Sequence, residues 1–361
     1  MAQPGSPVLT EHPWTSEDTH LTARLFCLRN EHVEIWLTDA GASIYRLRTP
    51  DIQGNWNDIA CAPRRLEAFW NHPAYMGATI GRVANRIGKA CLTLDNKEYR
   101  LIANESANTL HGGESWHRDR WQVKTMEYYD SVAVEFCRYS PNGEGGFPGN
   151  VEAKVRYRLT SDANLQVEFS ATTDATTVVN MTNHTYYNLN GADYQSLTGH
   201  QMHLPADFIT EVDEESIPTG ELLAVPGTPF DFTRPADLLE RLSSAPPEFE
   251  VTTGIDHNFA YKPVNSPTPV LMAHVVNTLN GRTLTLRSTQ PGLQLYTGNY
   301  MAGLEGPDPT MVYQRQQAFC LEPQHYPDSP NKANFPGCTV TPDQPYAESM
   351  VLSFGVTEQT D

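Results

Sequence analysis

The sequence predicts an all-β protein built as one large antiparallel domain. Three observations carry this. Short runs alternate apolar and polar residues, as in Val151-Glu152-Ala153-Lys154-Val155-Arg156-Tyr157, which is the period of a half-buried strand. The 361 residues include 24 glycines and 27 prolines, many of them between such runs as turn signals. Only 63–73 and 236–242 look helical, and no amphipathic helix is sustained. Strands joined by short turns run antiparallel, because a parallel crossover needs a dozen or more residues.

Residues 1–20 are polar and Pro-bearing and read as a loosely held arm. Strands follow at 25–28 and 32–37 around a turn at Arg29-Asn30-Glu31, then at 43–48, closed by the turn cluster 50–55. Pro73 ends the short helix expected within 63–73. In Gly77-Ala78-Thr79-Ile80-Gly81-Arg82-Val83-Ala84-Asn85-Arg86-Ile87-Gly88 the glycines allow close backbone approach and the two arginines are candidate fixed donors. The spacing matches neither a P-loop nor a dinucleotide fingerprint. A hairpin at 91–94 and 98–102 turns at Asp95-Asn96-Lys97, and the loop Asn108-Thr109-Leu110-His111-Gly112-Gly113 follows. Further strands are expected at 121–125, 132–136, 151–159, 165–169, 176–179, 200–204, 271–276, 283–288, 293–297 and 349–354. With no linker and no fixed-period repeat, residues 1–361 read as a single sandwich or barrel domain.

Composition excludes several partners. The formal net charge of −18 repels nucleic-acid backbones and anionic lipid surfaces, but not a neutral sugar. An anionic substrate would need a basic residue buried in the site. The N-terminus has no basic segment followed by an apolar core, and no apolar run approaches 18 residues, so neither a secretion signal nor a spanning segment is expected. Cys27, Cys61, Cys91, Cys137, Cys320 and Cys338 form no CxxC pair and read as reduced thiols of a cytoplasmic protein.

The chemistry concentrates in Asn180-Met181-Thr182-Asn183-His184-Thr185-Tyr186-Tyr187-Asn188-Leu189-Asn190-Gly191, which follows a β-branched run and ends in a strong turn signal. His, Asn and Tyr together offer hydrogen-bonding groups and a flat apolar face, a surface suited to a sugar. A structural histidine near a strand end would look the same. Other polar clusters are Asn85-Arg86, His111, Gly254-Ile255-Asp256-His257-Asn258 and Phe319-Cys320-Leu321-Glu322-Pro323-Gln324-His325. In the last, an apolar strand ends in one carboxylate, either a solvated edge residue or a group whose partial burial tunes it toward base work. His184 has no second His three or four residues away, no HExxH occurs, and no G-x-S-x-G elbow is present. A cleft with one His, one Glu, one Asp, one Arg, amides and aromatics remains, and such a set can move protons on a neutral polyhydroxylated substrate.

These blocks resemble the aldose 1-epimerase (galactose mutarotase) family. The resemblance lies in Gly81-Arg82-Val83-Ala84-Asn85-Arg86-Ile87, Leu110-His111-Gly112-Gly113, Thr182 to Leu189, Gly254 to Asn258, Gln294-Leu295-Tyr296-Thr297-Gly298-Asn299, and Cys320-Leu321-Glu322 followed by Pro327-Asp328-Ser329-Pro330-Asn331. The blocks occur in the family's order across roughly residues 30–355, and six in register are far more specific than any one. The resemblance implies a β-supersandwich and interconversion of α and β anomers of free hexoses, galactose and glucose foremost. It implies His184 as general acid and Glu322 as general base. Asn85, Arg86, His111, Tyr186, Asp256 and Gln294 would hold sugar hydroxyls, and no cofactor or metal would be needed. Thr185, Tyr187, Gln317-Ala318 and Pro323 depart from the family's usual Ser, Phe, Ser-Gly and Thr; they leave acid and base in place and bear on sugar preference. Two other functions fit part of the pattern. A sugar sensor on the same fold could dispense with His184 or Glu322, and a glycoside hydrolase would use Asp256 and Glu322 as its carboxyl pair. The chain is expected to act on a monosaccharide as a monomer or homodimer.

Overall fold

Period-two alternation builds three large antiparallel sheets in the computed structural model, which describes residues 6–16, 19–113, 116–244, 252–261, 267–308 and 310–357. A nine-stranded sheet runs in the order Gln122–Glu127, Ser131–Ser140, Val151–Thr160, Asn164–Thr173, Tyr346–Val356, Arg282–Ser288, Val270–Asn277, His200–His203 and Ala236–Asp237. A five-stranded meander comprises Val8–Thr15, Thr22–Arg29, Glu34–Thr38, Ser43–Pro50 and Trp56–Asp58. The third sheet has seven strands: Pro218–Ala224, Phe208–Val212, Asp256–Ala260, Gly292–Tyr296, Phe319–Gln324, Tyr186–Tyr187 and Ala60–Cys61. All three contribute to one apolar cluster, with Phe26 and Ile35 from the five strands, Phe136 and Val155 from the nine, and Phe259, Leu293 and Phe319 from the seven. The two α-helices among the described residues, Leu66–Asn71 and Leu238–Ser243, fall where the sequence places them.

The expected loose arm is corrected over part of its length. Val8–Thr15 pairs residue for residue with Thr22–Arg29, while residues 1–5 and 17–18 lie outside the described residues. An edge strand is held by main-chain hydrogen bonds and leaves most of its side chains exposed, so its composition resembles that of an arm. Phe208–Val212 and Pro218–Ala224 escape sequence reading because neither alternates cleanly.

The seven-stranded sheet positions the site. Phe259, Leu293, Leu295, Phe319, Leu321 and Tyr187 turn one face into the core. Alternation then sends Asp256, Asn258, Gln294, Tyr296, Cys320, Glu322 and Tyr186 to the other face. Register makes two cross-strand rows of them. Asp256 lies opposite Tyr296, which lies opposite Cys320, which lies opposite Tyr186. Beside that row, Asn258 lies opposite Gln294 and Gln294 opposite Glu322.

The fold also buries histidines in their neutral form. His200 Nε2 accepts the Leu189 N–H at 2.9 Å while Nδ1 faces the Leu197 carbonyl at 2.9 Å, so a second ring proton would break the first bond. Burial lowers the pKa of His200 and His257 to about 4, and it lowers His72, His117 and His184 as well. A folded-state pKa below the unfolded value of about 6.5 means stability that is present above pH 6.5 and lost as pH falls through about 4. Glu322 and Asp58, raised by burial, act in the opposite sense but are outnumbered. The melting temperature should therefore fall steadily from pH 6.5 to 4, at roughly 2–3 kcal/mol for each histidine forced to charge. Thermal melts across that range check this, and a flat profile would contradict it.

Candidate active site

His184 is fixed through its backbone. Its N–H donates to Ala78 O and its carbonyl accepts from Gly77 N–H, both at 2.9 Å, just after Thr182–Asn183 pairs with Thr79–Ile80. Its ring lies near-parallel to Tyr186 and Tyr75, with centroids 5.1 and 6.0 Å away. Nδ1 faces the Cys320 thiol at 3.6 Å, and Nε2 faces Glu322 Oε2 at 3.7 Å. Burial, with help from Glu322, holds the Cys320 pKa well above the usual thiol range, so that side chain stays neutral. Nε2 is the ring nitrogen turned toward the carboxyl.

Glu322 is 2 % exposed, and its Oε2 has no hydrogen bond among the described residues. Burial, reinforced by the Asp256 charge, pushes its pKa well above the usual carboxylate range. Burial lowers that of His184 to about 4. Both shifts have the same physical cause: burial disfavours charge on either group. Burial thus pushes the pair toward its uncharged form, a protonated carboxyl and a neutral imidazole. A general acid at His184 and a general base at Glu322 need the opposite charge states, imidazolium and carboxylate.

The rest of the site comes from loops locked to these strands. Thr109–Leu110 pairs with Arg86–Ile87, which sets His111 beside Asn85. His111 N–H donates to Asn85 O at 3.0 Å, and Asn85 N–H donates to His111 Nδ1 at 3.2 Å. Burial pushes the His111 pKa well down, so the ring is neutral with its proton on Nε2. Both residues have left-handed backbones, φ 61° for Asn85 and 51° for His111, a conformation characteristic of functional loops. Gly112 is required there: its φ is +71°, and a Cβ would sit 2.4 Å from the Gly81 carbonyl. Arg86 Nε and Nη2 donate to Glu105 at 2.6 and 2.8 Å, and Nη1 lies 3.6 Å from Asp256 Oδ2. Asp328, two residues into Pro327-Asp328-Ser329-Pro330-Asn331, braces this wall: it accepts from Gly88 N–H and donates its own N–H to Arg86 O. Asn299 holds the chain ahead of Asp256 by donating to Thr252 O and Ile255 O.

These elements enclose a cleft of about 190 Å³, below the usual volume of drug-sized pockets and suited to one small molecule. Asn85, Arg86, His111, His184, Tyr186, Asp256 and Glu322 all line it. Gln294 does not. It stands behind the wall, donating to Asp256 Oδ1 at 2.7 Å and accepting from Gln324 at 3.2 Å. Arg82, the other arginine of the Gly-rich block, is 1 % exposed and donates to Ser140, Pro141 and Pro148, so it clamps a loop and faces no cleft. Tyr75, Glu105, Tyr296 and Tyr300 line the cleft without having been singled out from sequence. Tyr296 and Cys320 were within reach, since each sits two residues from a candidate on the same strand face. Glu105 and Tyr75 carry no such signal. A larger groove of about 920 Å³ lies on the outer face of the nine-stranded sheet, where Arg156 pairs with Glu135 and Glu168; neither His184 nor Glu322 lines it. His184, Cys320 and Glu322 place three potential metal-ligand atoms within 4.8 Å of one another, a convergence that spacing along the sequence cannot display.

An all-β scaffold that opposes a buried imidazole and a buried carboxyl in a small polar cleft defines a proton-transferring enzyme. The chain belongs to the aldose 1-epimerase family, whose sequence profile matches residues 24–353. It is 37 % identical to galactose mutarotase of Bos taurus over 336 residues, covering 93 % of this chain and 95 % of that one. It is 34 % identical to aldose 1-epimerase of Escherichia coli (strain K12), covering 92 % and 95 %. Among solved structures, the aldose epimerase homologue of C. elegans superposes with a TM-score of 0.80 at 25 % identity, covering 97 % of this chain and all of that one. Galactose 1-epimerase of Lactobacillus acidophilus NCFM, at 22 % identity, shares the fold with a TM-score of 0.84 over 98 % of this chain and 100 % of that one.

Proposed function

We propose that this enzyme is a mutarotase that interconverts the α and β anomers of free hexoses, galactose and glucose foremost, by opening and closing the pyranose ring. The observation that carries the reading is the 3.7 Å opposition of His184 Nε2 and Glu322 Oε2 in a cleft the size of one sugar. Hydroxyls donated to Oε2 stabilise its carboxylate form and move the shared proton to His184. Glu322 then takes the proton of the anomeric O1–H while His184 protonates O5. The C1–O5 bond breaks and C1 becomes an aldehyde. Rotation about C1–C2 presents the other carbonyl face, and the same two groups acting in reverse close the ring.

The pair starts and ends with one proton. Ring opening leaves it neutral at both groups, which is the state that burial favours. The cleft thus opposes the charged pair and favours the one formed as the bond breaks. Asn85, Arg86, His111, Tyr186 and Asp256 hold sugar hydroxyls in this reading, and Gln294 acts through Asp256, whose oxygens face Gln294 and Arg86. No step draws on a cofactor or metal. The chain reads as a single domain, since one core cluster joins the three sheets. A cytoplasmic location is in keeping with six free thiols, and the protein would act as a monomer or homodimer. No helix among the described residues is long and apolar enough to cross a membrane.

Polarimetry of freshly dissolved α-galactose and α-glucose tests the proposal. The enzyme should speed the optical drift of both. A sugar sensor would leave the drift at its spontaneous rate, and a hydrolase would instead cleave aryl glycosides; either result would refute the reading.

A further inference from the structure

The cleft wall carries a charge arrangement that ring opening does not require. Among the described residues Arg86 is the only Arg or Lys side chain lining the cleft, and three carboxyl groups, Glu105, Asp256 and Glu322, line it with Arg86. One of the two guanidinium edges that could clasp a phosphate or carboxylate in parallel is already taken: Nε and Nη2 donate to the two oxygens of Glu105 at 2.6 and 2.8 Å. Nη1 is left for the cleft, where it also neighbours Asp256 at 3.6 Å. Burial by itself would weaken the hold of Arg86 on its proton, but Asp256 and Glu105 more than reverse this, and its pKa is raised.

Glu105 is built into place. Its N–H donates to Asn108 O and its carbonyl accepts from Asn108 N–H, closing a tight bridge. Asn104 ties the same loop to the His111 segment by accepting from Leu110 N–H at 2.7 Å and donating to the Leu110 and Gly113 carbonyls at 3.0 Å. The loop that carries Glu105 is therefore anchored beside Arg86, and the carboxylate meets the guanidinium through two hydrogen bonds.

We propose that Glu105 is a specificity-determining residue: by occupying Arg86 and adding negative charge to the cleft, it restricts the enzyme to uncharged aldoses and excludes those bearing a phosphate or carboxylate. The inference rests on the mutarotase reading and concerns the same cleft. A neutral hydroxyl needs only one donor and feels little of the surrounding charge. An anionic sugar meets repulsion from the carboxylates, finds the Nε/Nη2 edge taken by Glu105, and must share Nη1 with Asp256.

The test uses galactose 6-phosphate and galacturonate as competitors of galactose mutarotation in the wild type, Glu105→Gln and Glu105→Ala. The quantity read is the ratio of the competitor's Ki to the KM for galactose, which does not depend on how much activity each variant retains. In the wild type that ratio should exceed about ten. Removing the carboxylate should lower it about tenfold or more for at least one anion, with a gain that fades in high salt. Anions that compete as well as galactose in the wild type would overturn the proposal, as would a ratio unchanged in both variants. Calorimetric titration of the same sugars separates this outcome from failure of the mutarotase reading. A wild-type protein that binds galactose without speeding its mutarotation refutes the reaction, yet the proposal still stands if the anions fail to bind and gain affinity in the variants.

Discussion

Glu322→Gln is expected to lose about 10²–10⁴-fold in kcat, with KM for galactose changed far less. Gln keeps the shape of Glu and can still meet a sugar hydroxyl, but it cannot take up the O1 proton. The fold should survive, because Glu322 Oε2 has no hydrogen bond among the described residues to lose and burial already disfavours its charge. The melting temperature at neutral pH should stay level or rise. Polarimetric turnover and a thermal melt on one preparation decide the matter: undiminished turnover removes Glu322 from the chemistry. A collapse in stability would mean that any loss of rate reports folding instead.

His184→Asn should be similarly severe, again about 10²–10⁴-fold in kcat. Asn can lie beside Cys320 and Tyr186 and can donate a hydrogen bond, but it cannot deliver a proton to O5. A double variant with Glu322→Gln should be little slower than the poorer single one, because each group is idle without the other. The kcat/KM–pH profile, which reports the free enzyme, separates chemistry from packing. In the wild type it should show limbs from a carboxyl raised and an imidazole lowered by burial. In His184→Asn the imidazole limb should vanish. Multiplicative losses, or a pH profile unchanged in shape, would count against paired proton transfer.

Much of this architecture is legible before any coordinates. The central strands announce themselves because Val151–Thr160 buries every second residue without interruption. The same period explains why Glu322 and Cys320 share a face, and why Leu321 between them belongs to the core. What sequence reading misses has physical causes. Val8–Thr15 is held by main-chain pairing, which leaves no mark on side-chain composition. Arg82 and Arg86 stand four residues apart in one block, and only the folded chain reveals that one clamps carbonyls while the other faces the cleft. Gln294 sits on the correct sheet face but reaches Asp256 first, a matter of side-chain length and neighbours that no motif encodes. Glu105 comes from a loop closed by a bridge to Asn108, and its pairing with Arg86, 19 positions away, is set by the folded chain.

The strand Phe319–Gln324 has one side in the apolar interior and the other in the cleft. That sharing divides the molecule into conservative and inventive regions. A substitution that reshapes the strand to suit a new sugar disturbs the packing of Phe319 and Leu321, so variation there is penalised twice over. Glu105, 33 % exposed at its side chain, and Tyr300, 65 % exposed, stand on loops at the rim and carry no such obligation. Descendants of this enzyme can therefore change diet at the rim while the machinery beneath stays as it is.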